Sequence, residues 1–284
     1  IMKLGLIGTN INTSQAPDIH RRLGHLFDIP LTYELFDLKN KNASDFFGLL
    51  SELKNNGFTG VNITFPFKEK VIECADQINK SSSYVKSANT LIFKHKIIAE
   101  NTDYTGFLRA YDFHFNNFKP RKILVIGGGG VGRAIAFALG SLNVQHIYLL
   151  ELDNNKANKL IIELKLANVT CSLIKPDELK SLIPEIDGLI NCSPIGHYDF
   201  PGCPIGKLNI KDKHWIFDAV YTPAKTELIK KGEKAGSKVI SGIDLFIFQA
   251  LDAFLLFSDK KIKKDDLLKQ VKFLRSHYFE TLYK

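Results

Sequence analysis

A glycine-rich turn between a predicted strand and a predicted helix carries the first chemistry that the sequence offers. The aliphatic run at residues 122–126 is typical of a buried parallel strand, and the alanine-rich segment after the turn predicts a helix. The spacing G-x-G-x-x-G permits a tight turn and close approach of the backbone to a pyrophosphate, which would face the N–H groups that open the helix. The predicted phosphate-binding residues are Gly127, Gly129, Gly130, Val131 and Gly132.

An acidic residue follows the next predicted strand, at residues 147–150. Glu151 lies close to the ~20 residues beyond Gly132 at which dinucleotide sites carry the carboxylate that binds the ribose hydroxyls. A strand before the turn and an acid after the second strand together favour a dinucleotide site over a merely flexible glycine loop.

The elements around this turn indicate an α/β protein of two domains. Strand-like and helix-like segments alternate along the chain, including helices at 67–78 and 104–113 and a hairpin of 91–93 with 97–99. The last part, at 245–257 and 265–283, has helical patterns throughout. We predict a substrate-binding catalytic domain at 1–103, a doubly wound Rossmann-type NAD(P)-binding domain at 104–243, and C-terminal helices at 244–284 that return to the first domain.

The composition excludes several classes of protein. The chain has 284 residues, of which 45% are hydrophobic and 24% charged, as in globular proteins of two domains. No apolar run approaches the ~18 residues of a membrane span, and the four cysteines form no C-x-x-C pair. The net charge of +8 comes largely from dispersed lysines. We therefore predict a cytoplasmic protein with no metal site, no membrane partner and no nucleic-acid partner.

Several ordered motifs resemble those of the shikimate and quinate dehydrogenases. Residues 62–69 are similar to the family's N-V-T-x-P-x-K segment, and residues 101–107 are similar to its N-T-D-x-x-G-F segment. Residues 218–226 and the Gln249-Ala250 pair follow in the family's order. The resemblance covers about residues 4–257 and implies reversible, NAD(P)-dependent oxidation of a secondary alcohol on a ring.

Such an oxidation needs an acid/base group at the hydroxyl, because a proton is taken up there while hydride leaves the carbon. The resemblance implies that Lys68 is this catalytic group and that Asp103 is its paired catalytic carboxylate. Asp103 would also cap the helix predicted from Tyr104.

The resemblance also implies the binding residues. A polyhydroxylated ring requires a convergence of neutral donors and acceptors. The implied substrate residues are Ser14, Thr64, Asn89, Asp103, Tyr221 and Gln249. The further implied nucleotide residues are Glu151, Asp153, Cys192, Ser193, Ala219, Gly242 and Leu245.

One departure from the family concerns the substrate. The family's first loop reads S-x-S-P or S-x-T-P, with both hydroxyls on the substrate carboxylate, whereas this chain has Ser14 and Ala16 before Pro17. A lost hydrogen bond to a charged group costs about 1.5–3 kcal/mol, unless Thr13 compensates. The choice among shikimate, quinate and a related polyol is therefore open.

A second departure concerns the cofactor. NADP-using members carry Asn-Arg-Thr after the second nucleotide strand, where the arginine holds the 2′-phosphate, but this chain has Glu151-Leu152-Asp153. Two carboxylates would repel a 2′-phosphate and accept a ribose diol, so we predict that NAD is preferred over NADP. Lys156 is a poor replacement for a bidentate arginine.

The sequence thus predicts an oxidoreductase that acts on a small cyclic polyol carboxylate, as a monomer or a homodimer. Two alternatives stay open. A folate-type methylene dehydrogenase shares the two-domain plan and a catalytic lysine, and a non-catalytic regulatory relative would bind dinucleotide or polyol without turnover.

Overall fold

The computed structural model describes residues 1–39, 43–259 and 261–282. The chain forms two compact units, and both consist of two separate stretches of sequence. Unit 1 comprises Ile1–Gly106 and Ile247–Val271, and unit 2 comprises Phe107–Phe246 and Lys272–Lys284. Within the described residues, no helix is both long enough and apolar enough to cross a lipid bilayer.

Unit 1 contains a mixed sheet of six strands in the order β2-β1-β3-β5-β6-β4. The strands are β1 (Met2–Gly8), β2 (Leu31–Asp37), β3 (Gly60–Ile63), β4 (Gln77–Ile78), β5 (Thr90–Phe93) and β6 (Ile97–Glu100). Strand β1 pairs in parallel with β2 and β3, whereas β5 is antiparallel to both β3 and β6. The hairpin predicted at 91–93 and 97–99 is therefore confirmed.

Helices cover the sheet of unit 1. They are α1 (Ala16–Leu26), α2 (Ala43–Asn55), α3 (Lys80–Val85) and the first part of α4 (Thr102–Phe115). On α2, Phe46, Leu50 and Leu53 are buried in one cluster with the strand residues Val61 and Ile63. Burial of this apolar helical face against the sheet holds the strands whose carboxyl ends carry candidate site residues.

Unit 2 contains a fully parallel sheet of six strands in the order β12-β11-β10-β7-β8-β9. The strands are β7 (Lys122–Ile126), β8 (His146–Leu150), β9 (Cys171–Leu173), β10 (Gly188–Asn191), β11 (Trp215–Asp218) and β12 (Lys238–Ile240). The chain moves outward from β7 in one direction through β8 and β9, then restarts on the other side at β10. This reversal is the switch point of a doubly wound nucleotide fold, so the predicted fold class is confirmed.

The remaining helices complete unit 2 and the end of unit 1. They are α5 (Gly130–Ser141), α6 (Asn154–Leu166), α7 (Leu179–Leu182), α8 (Glu227–Ala235), α9 (Gly242–Phe257), α10 (Lys264–Lys269) and α11 (Val271–Thr281). Helices α4 and α9 each contribute residues to both units. The predicted helix at 265–283 is divided at Gln270, whose N–H donates to the carbonyl of Leu267, and Tyr283 lies outside the described residues.

Two segments differ from the sequence-based expectations. The helix predicted at 67–78 is wrong, because this segment has only a 3-10 turn at Lys70–Cys74, followed by β4. Pairing of Gln77 and Ile78 with β6 outweighs local helix propensity there. In addition, 272–284 group with unit 2, where the Tyr278 ring packs edge-on against Phe246 at 5.0 Å.

Candidate active site

Lys68 and Asp103 form an almost fully buried ion pair in unit 1. The ammonium nitrogen Nζ of Lys68 lies 2.6 Å from Oδ2 of Asp103, and the two side chains are 12% and 8% exposed. A charge-assisted hydrogen bond of this length is strong at a site that is largely shielded from solvent. The structure thus brings together two residues 35 positions apart in the sequence. The Lys68 side chain can give a proton as an ammonium and take one as a neutral amine.

Asp103 is positioned by the capped start of helix α4. The cap is Asn101, whose Oδ1 accepts the N–H of Tyr104 at 3.0 Å, while its Nδ2 donates to the carbonyl of Ser87. Because the helix begins at Thr102, the expectation that Asp103 itself caps a helix from Tyr104 is wrong. The carboxylate of Asp103 is therefore available for Lys68.

Asn89 contacts the same helix start through its amide oxygen. Oδ1 of Asn89 accepts the backbone N–H of Thr102 at 2.7 Å, and it also accepts the hydroxyls of Thr102 and Thr90, each at 3.1 Å. Three donors fix the orientation of the amide, which leaves Nδ2 as the group that Asn89 can offer to a ligand oxygen.

Thr64 and Ser14 follow the carboxyl ends of two adjacent parallel strands. Thr64 comes directly after β3, and its backbone N–H donates to the carbonyl of Ile7 in β1 at 2.9 Å. A Cβ atom at Gly8 would lie 2.2 Å from the methyl group of Thr64, so only glycine permits this approach. Ser14 lies in the loop after β1, where its hydroxyl accepts the N–H of Ala16, the first residue of α1, at 3.2 Å.

Gln249 is brought close to the start of α4 by a glycine. A Cβ atom at Gly106 would lie 2.7 Å from the backbone nitrogen of Gln249, so α4 and α9 approach each other at backbone distance. This contact explains physically why the family motif at 101–107 ends in glycine before phenylalanine. The predicted site residues that lie in unit 1 are Ser14, Thr64, Lys68, Asn89, Asp103 and Gln249.

Tyr221 belongs to unit 2. Its ring stacks on Phe246 with centroids 4.9 Å apart and planes inclined by 14°. Tyr221 comes three residues after Asp218, which ends β11. It thus extends from the carboxyl edge of the nucleotide-type sheet, where ligands of such sheets bind.

The glycine turn after β7 has the geometry that its spacing predicts. Gly127 has a φ of +93°, and a Cβ atom there would lie 2.8 Å from the backbone of Cys192 and Ser193. A Cβ atom at Gly132 would lie 1.9 Å from the carbonyl oxygen of Gly127, so α5 can pack on the turn only with glycine. At Gly129 a Cβ atom would meet no atom of the protein within 4 Å, which leaves room for a ligand at the N-terminus of α5.

Glu151 reaches from the end of β8 to this turn. Its Oε2 accepts the N–H of Gly128 at 2.7 Å, and its Oε1 accepts the N–H of Asp153 at 2.9 Å. Asp153 in turn caps α6, because its side chain accepts the N–H groups of Asn155 and Lys156. A carboxylate therefore borders the glycine turn at the position where a ribose would follow a pyrophosphate.

The other predicted nucleotide residues lie around the ends of β10 and β11. The N–H of Cys192 donates to the carbonyl of Ile126 at 2.7 Å, which ties β10 to the turn after β7. The N–H of Ala219 donates to the carbonyl of Asn191 at 2.8 Å. A Cβ atom at Gly242 would lie 2.7 Å from the carbonyl oxygen of Ala219, and Leu245 is buried one turn further along α9.

Sequence reasoning missed a buried polar network behind Asn89. The hydroxyl of Tyr33 donates to Oδ1 of Asn62 at 2.9 Å, and Nδ2 of Asn62 donates to the hydroxyl of Thr90 at 3.1 Å. His20 stacks on Tyr33 at 4.9 Å, and burial lowers the pKa of His20 to about 3, although a hydrogen bond with Asn62 opposes this. The available signal was an asparagine between Val61 and Ile63 in an otherwise apolar strand.

Comparison with known proteins identifies the family. The family model of the shikimate dehydrogenase substrate binding domain matches residues 6–91. A shikimate dehydrogenase (NADP(+)) of Clostridium botulinum (strain 657 / Type Ba4) is 33% identical, over 91% of this chain and 97% of its own length. The chain belongs to the shikimate dehydrogenase family. The match places it among NAD(P)-dependent oxidoreductases of this kind rather than among folate-type methylene dehydrogenases.

Other members of the shikimate dehydrogenase family differ in their named cofactor. A quinate/shikimate dehydrogenase (NAD(+)) of Corynebacterium glutamicum (strain R) is 31% identical, over 90% of this chain and 92% of its own length. The solved structure of quinate dehydrogenase from Corynebacterium glutamicum in complex with NAD has a TM-score of 0.85 and 28% identity, and the match covers 94% of this chain and 97% of that one. The family therefore includes proteins named for NADP and proteins named for NAD.

Proposed function

We propose that this chain is an NAD(P)-dependent shikimate or quinate dehydrogenase that transfers hydride reversibly between a ring secondary alcohol and nicotinamide. The observation that carries the proposal is the buried pair of Lys68 and Asp103, at 2.6 Å, beside the oriented amide of Asn89. A buried lysine side chain held by a carboxylate can act as the acid/base group that this reaction needs, as a neutral amine in oxidation and as an ammonium in reduction. The names of the relatives, which include both shikimate and quinate dehydrogenases, support the substrate class.

Lys68 is the residue that handles the proton. When the alcohol is oxidised, the neutral amine form of Lys68 takes up the hydroxyl proton at Nζ and becomes an ammonium, and in the reverse direction the ammonium returns a proton to the new alkoxide oxygen. Bound nicotinamide supplies the hydride acceptor or donor. Oδ2 of Asp103 holds the ammonium in place and stabilises its charge, so that Nζ keeps one orientation through the cycle.

Unit 1 supplies most of the groups that would bind the substrate. Nδ2 of Asn89 donates to a ring oxygen, because its Oδ1 is already occupied by three donors. Thr64 and Gln249 bind further ring hydroxyls, and Ser14 donates to the carboxylate. Ala16 brings only a backbone N–H to this loop, and that group donates to Ser14. We therefore propose weaker recognition of the carboxylate than in members with two hydroxyls.

Unit 2 supplies the groups that would bind the nucleotide, and NAD is the proposed preference. The open space at Gly129 and the N-terminus of α5 suit a pyrophosphate. Glu151 borders the turn as an acceptor for ribose hydroxyls, and its charge would repel a 2′-phosphate. Nζ of Lys156 lies 3.9 Å from Oδ2 of Asp153, so the carboxylate already compensates part of the lysine's positive charge. The residues present thus fit NAD better than NADP.

One assay tests the reaction. The protein is mixed with shikimate or quinate and with NAD or NADP, and the absorbance of reduced nicotinamide is followed in all four combinations. We expect turnover with at least one substrate, and faster turnover with NAD than with NADP. Absence of turnover in all four, from protein that still binds nucleotide, would favour the regulatory alternative. The monomeric or homodimeric state and the cytoplasmic location stay predictions.

A further inference from the structure

A carboxylate lies fully buried at the carboxyl end of β11, without a cationic partner among the described residues. Asp218 has no exposed surface, and no Lys, Arg or His of the described chain forms an ion pair with it. Burial raises the pKa of Asp218 to about 6, although hydrogen bonds from Thr226, Val220 and Asn191 oppose this. A fold retains a group that is costly to ionise chiefly where the group serves a function.

The neighbours of Asp218 are all donors. Its Oδ1 accepts Nδ2 of Asn191 at 2.9 Å and the N–H of Val220 at 3.1 Å, and its Oδ2 accepts the hydroxyl of Thr226 at 2.6 Å. An ionised carboxylate only accepts hydrogen bonds, so it matches this set of donors. An amide in its place would turn a donor either toward Nδ2 of Asn191 and the N–H of Val220, which cannot accept, or toward the hydroxyl of Thr226, which can accept but would lose its own acceptor.

Asn191 extends this hydrogen-bond network to the loop at residues 193–195, after β10. Because Asp218 accepts Nδ2, Oδ1 of Asn191 must face Ser193, and it accepts the N–H of Ser193 at 3.1 Å and its hydroxyl at 2.6 Å. The same Nδ2 also donates to the carbonyl of Ile195 at 2.9 Å. One amide orientation, set by Asp218, therefore fixes the backbone of residues 193–195.

This loop lies against the glycine turn. The Cβ position of Gly127 is 2.8 Å from the backbone nitrogen of Ser193, and the strands that precede the two segments, β7 and β10, are neighbours at the switch point of the sheet. Ala219 follows Asp218 directly and donates to the carbonyl of Asn191. We infer that Asp218, acting through Asn191, is a positioning residue that holds Ser193 and Ala219 for nucleotide binding. This inference rests on the proposed function of unit 2.

The test is the nearly isosteric variant Asp218→Asn. The new amide must present Nδ2 either to Asn191, which then rotates and turns its own Nδ2 toward the donors of Ser193, or to the hydroxyl of Thr226. We expect the Kd for NADH to rise about tenfold or more, because the hydrogen bonds that Asn191, Val220 and Thr226 donate to a charged carboxylate are weakened or lost. Energy transfer from Trp215, the one tryptophan of the chain, to bound NADH measures this Kd without turnover. Shikimate binding by the nucleotide-free protein should stay close to that of the unaltered protein.

A matched control lies at the other end of the same sheet. Asp187 precedes β10, and its Oδ2 accepts the N–H of Lys122 at 3.1 Å. Asp187→Asn makes the same chemical change at the amino ends of the strands, so nucleotide affinity should not change. Asn191→Ser shortens the side chain that joins Asp218 to Ser193, and it should weaken NADH binding as Asp218→Asn does; it serves if Asp218→Asn does not fold.

A double variant shows whether Asp218 acts through this loop. The Kd for NADH is measured for Asp218→Asn and Ser193→Ala alone and together. The loss of binding free energy in the double variant should be smaller than the sum of the losses in the two single variants. Additive effects, or folded Asp218→Asn and Asn191→Ser proteins that both keep unaltered NADH affinity, would overturn the inference while leaving the dehydrogenase proposal intact. If the unaltered protein bound neither NADH nor NADPH, the proposed function and the inference would both fail.

Discussion

Thr102 donates both its backbone N–H and its hydroxyl to Oδ1 of Asn89, at 2.7 and 3.1 Å. A proposed substrate residue on one segment therefore fixes the start of the helix that carries Asp103. Since Asp103 holds Lys68, the start of this helix links the Asn89 amide to the Lys68 side chain. Loss of Nδ2 of Asn89 should weaken substrate binding, whereas loss of Oδ1 should also weaken the start of the helix that carries Asp103.

Two variants of Asn89 separate these ends. Asn89→Asp keeps an oxygen for Thr102 and loses the Nδ2 donor, so KM for the substrate should rise about tenfold or more, with a smaller loss of Tm than in Asn89→Ala because three donors still meet the oxygen. Asn89→Ala loses both groups, so it should also destabilise the fold by about 1–3 kcal/mol. Steady-state kinetics and thermal unfolding check this. Equal effects of the two variants on KM and on Tm would contradict separate roles for the two ends.

Lys68→Ala should abolish proton transfer and leave the nucleotide site intact. We expect turnover to fall by a factor of about 10²–10⁴, with an unaltered Kd for NADH. Lys70→Ala, two residues further on at an exposed position, is the control and should retain full turnover. Near-normal turnover of Lys68→Ala would remove this lysine from the mechanism.

Glu151→Gln tests the cofactor preference without removing the acceptor for the N–H of Gly128. Loss of the negative charge should raise kcat/KM for NADP relative to NAD, and adding Leu152→Arg at an 80% exposed position should raise the ratio further. Kinetics with both nucleotides measure the ratio. An unchanged ratio in the double variant would show that the nucleotide is selected elsewhere.

His20 should make the fold less stable in acid. Its pKa falls from 6.5 to about 3 on folding because of burial, so between these values the unfolded chain binds a proton that the folded chain excludes. Stability from this residue is present above pH 6.5 and is lost as the pH falls below it, by about 1.4 kcal/mol per pH unit. His20→Phe preserves a ring beside Tyr33 and cannot titrate. Denaturant unfolding from pH 8 to pH 5 should therefore show a flatter acid limb for His20→Phe, whereas parallel curves would contradict this origin.

The sequence alone was sufficient to predict structure where neighbouring residues of one short segment determine it. The turn at 127–132 has the geometry that its spacing predicts, since the strand, the positive φ and the helix start all follow from neighbouring residues. The hairpin of β5 and β6 was predictable for the same reason. Motif order along the chain was sufficient to name Lys68 and Asp103, which the structure places in contact.

Only the tertiary structure decided which distant polar groups meet in the core. Residues 77–78 pair with β6 where a helix was expected, and Asn101 rather than Asp103 caps α4. The carboxylate of Asp218 meets the amide of Asn191, which lies 27 positions away in the sequence. A buried donor or acceptor must find a partner, yet the partner can lie anywhere along the chain. Sequence therefore determined which chemical groups this protein offers for the proposed binding and proton transfer, and packing decided which of their atoms already form hydrogen bonds within the fold.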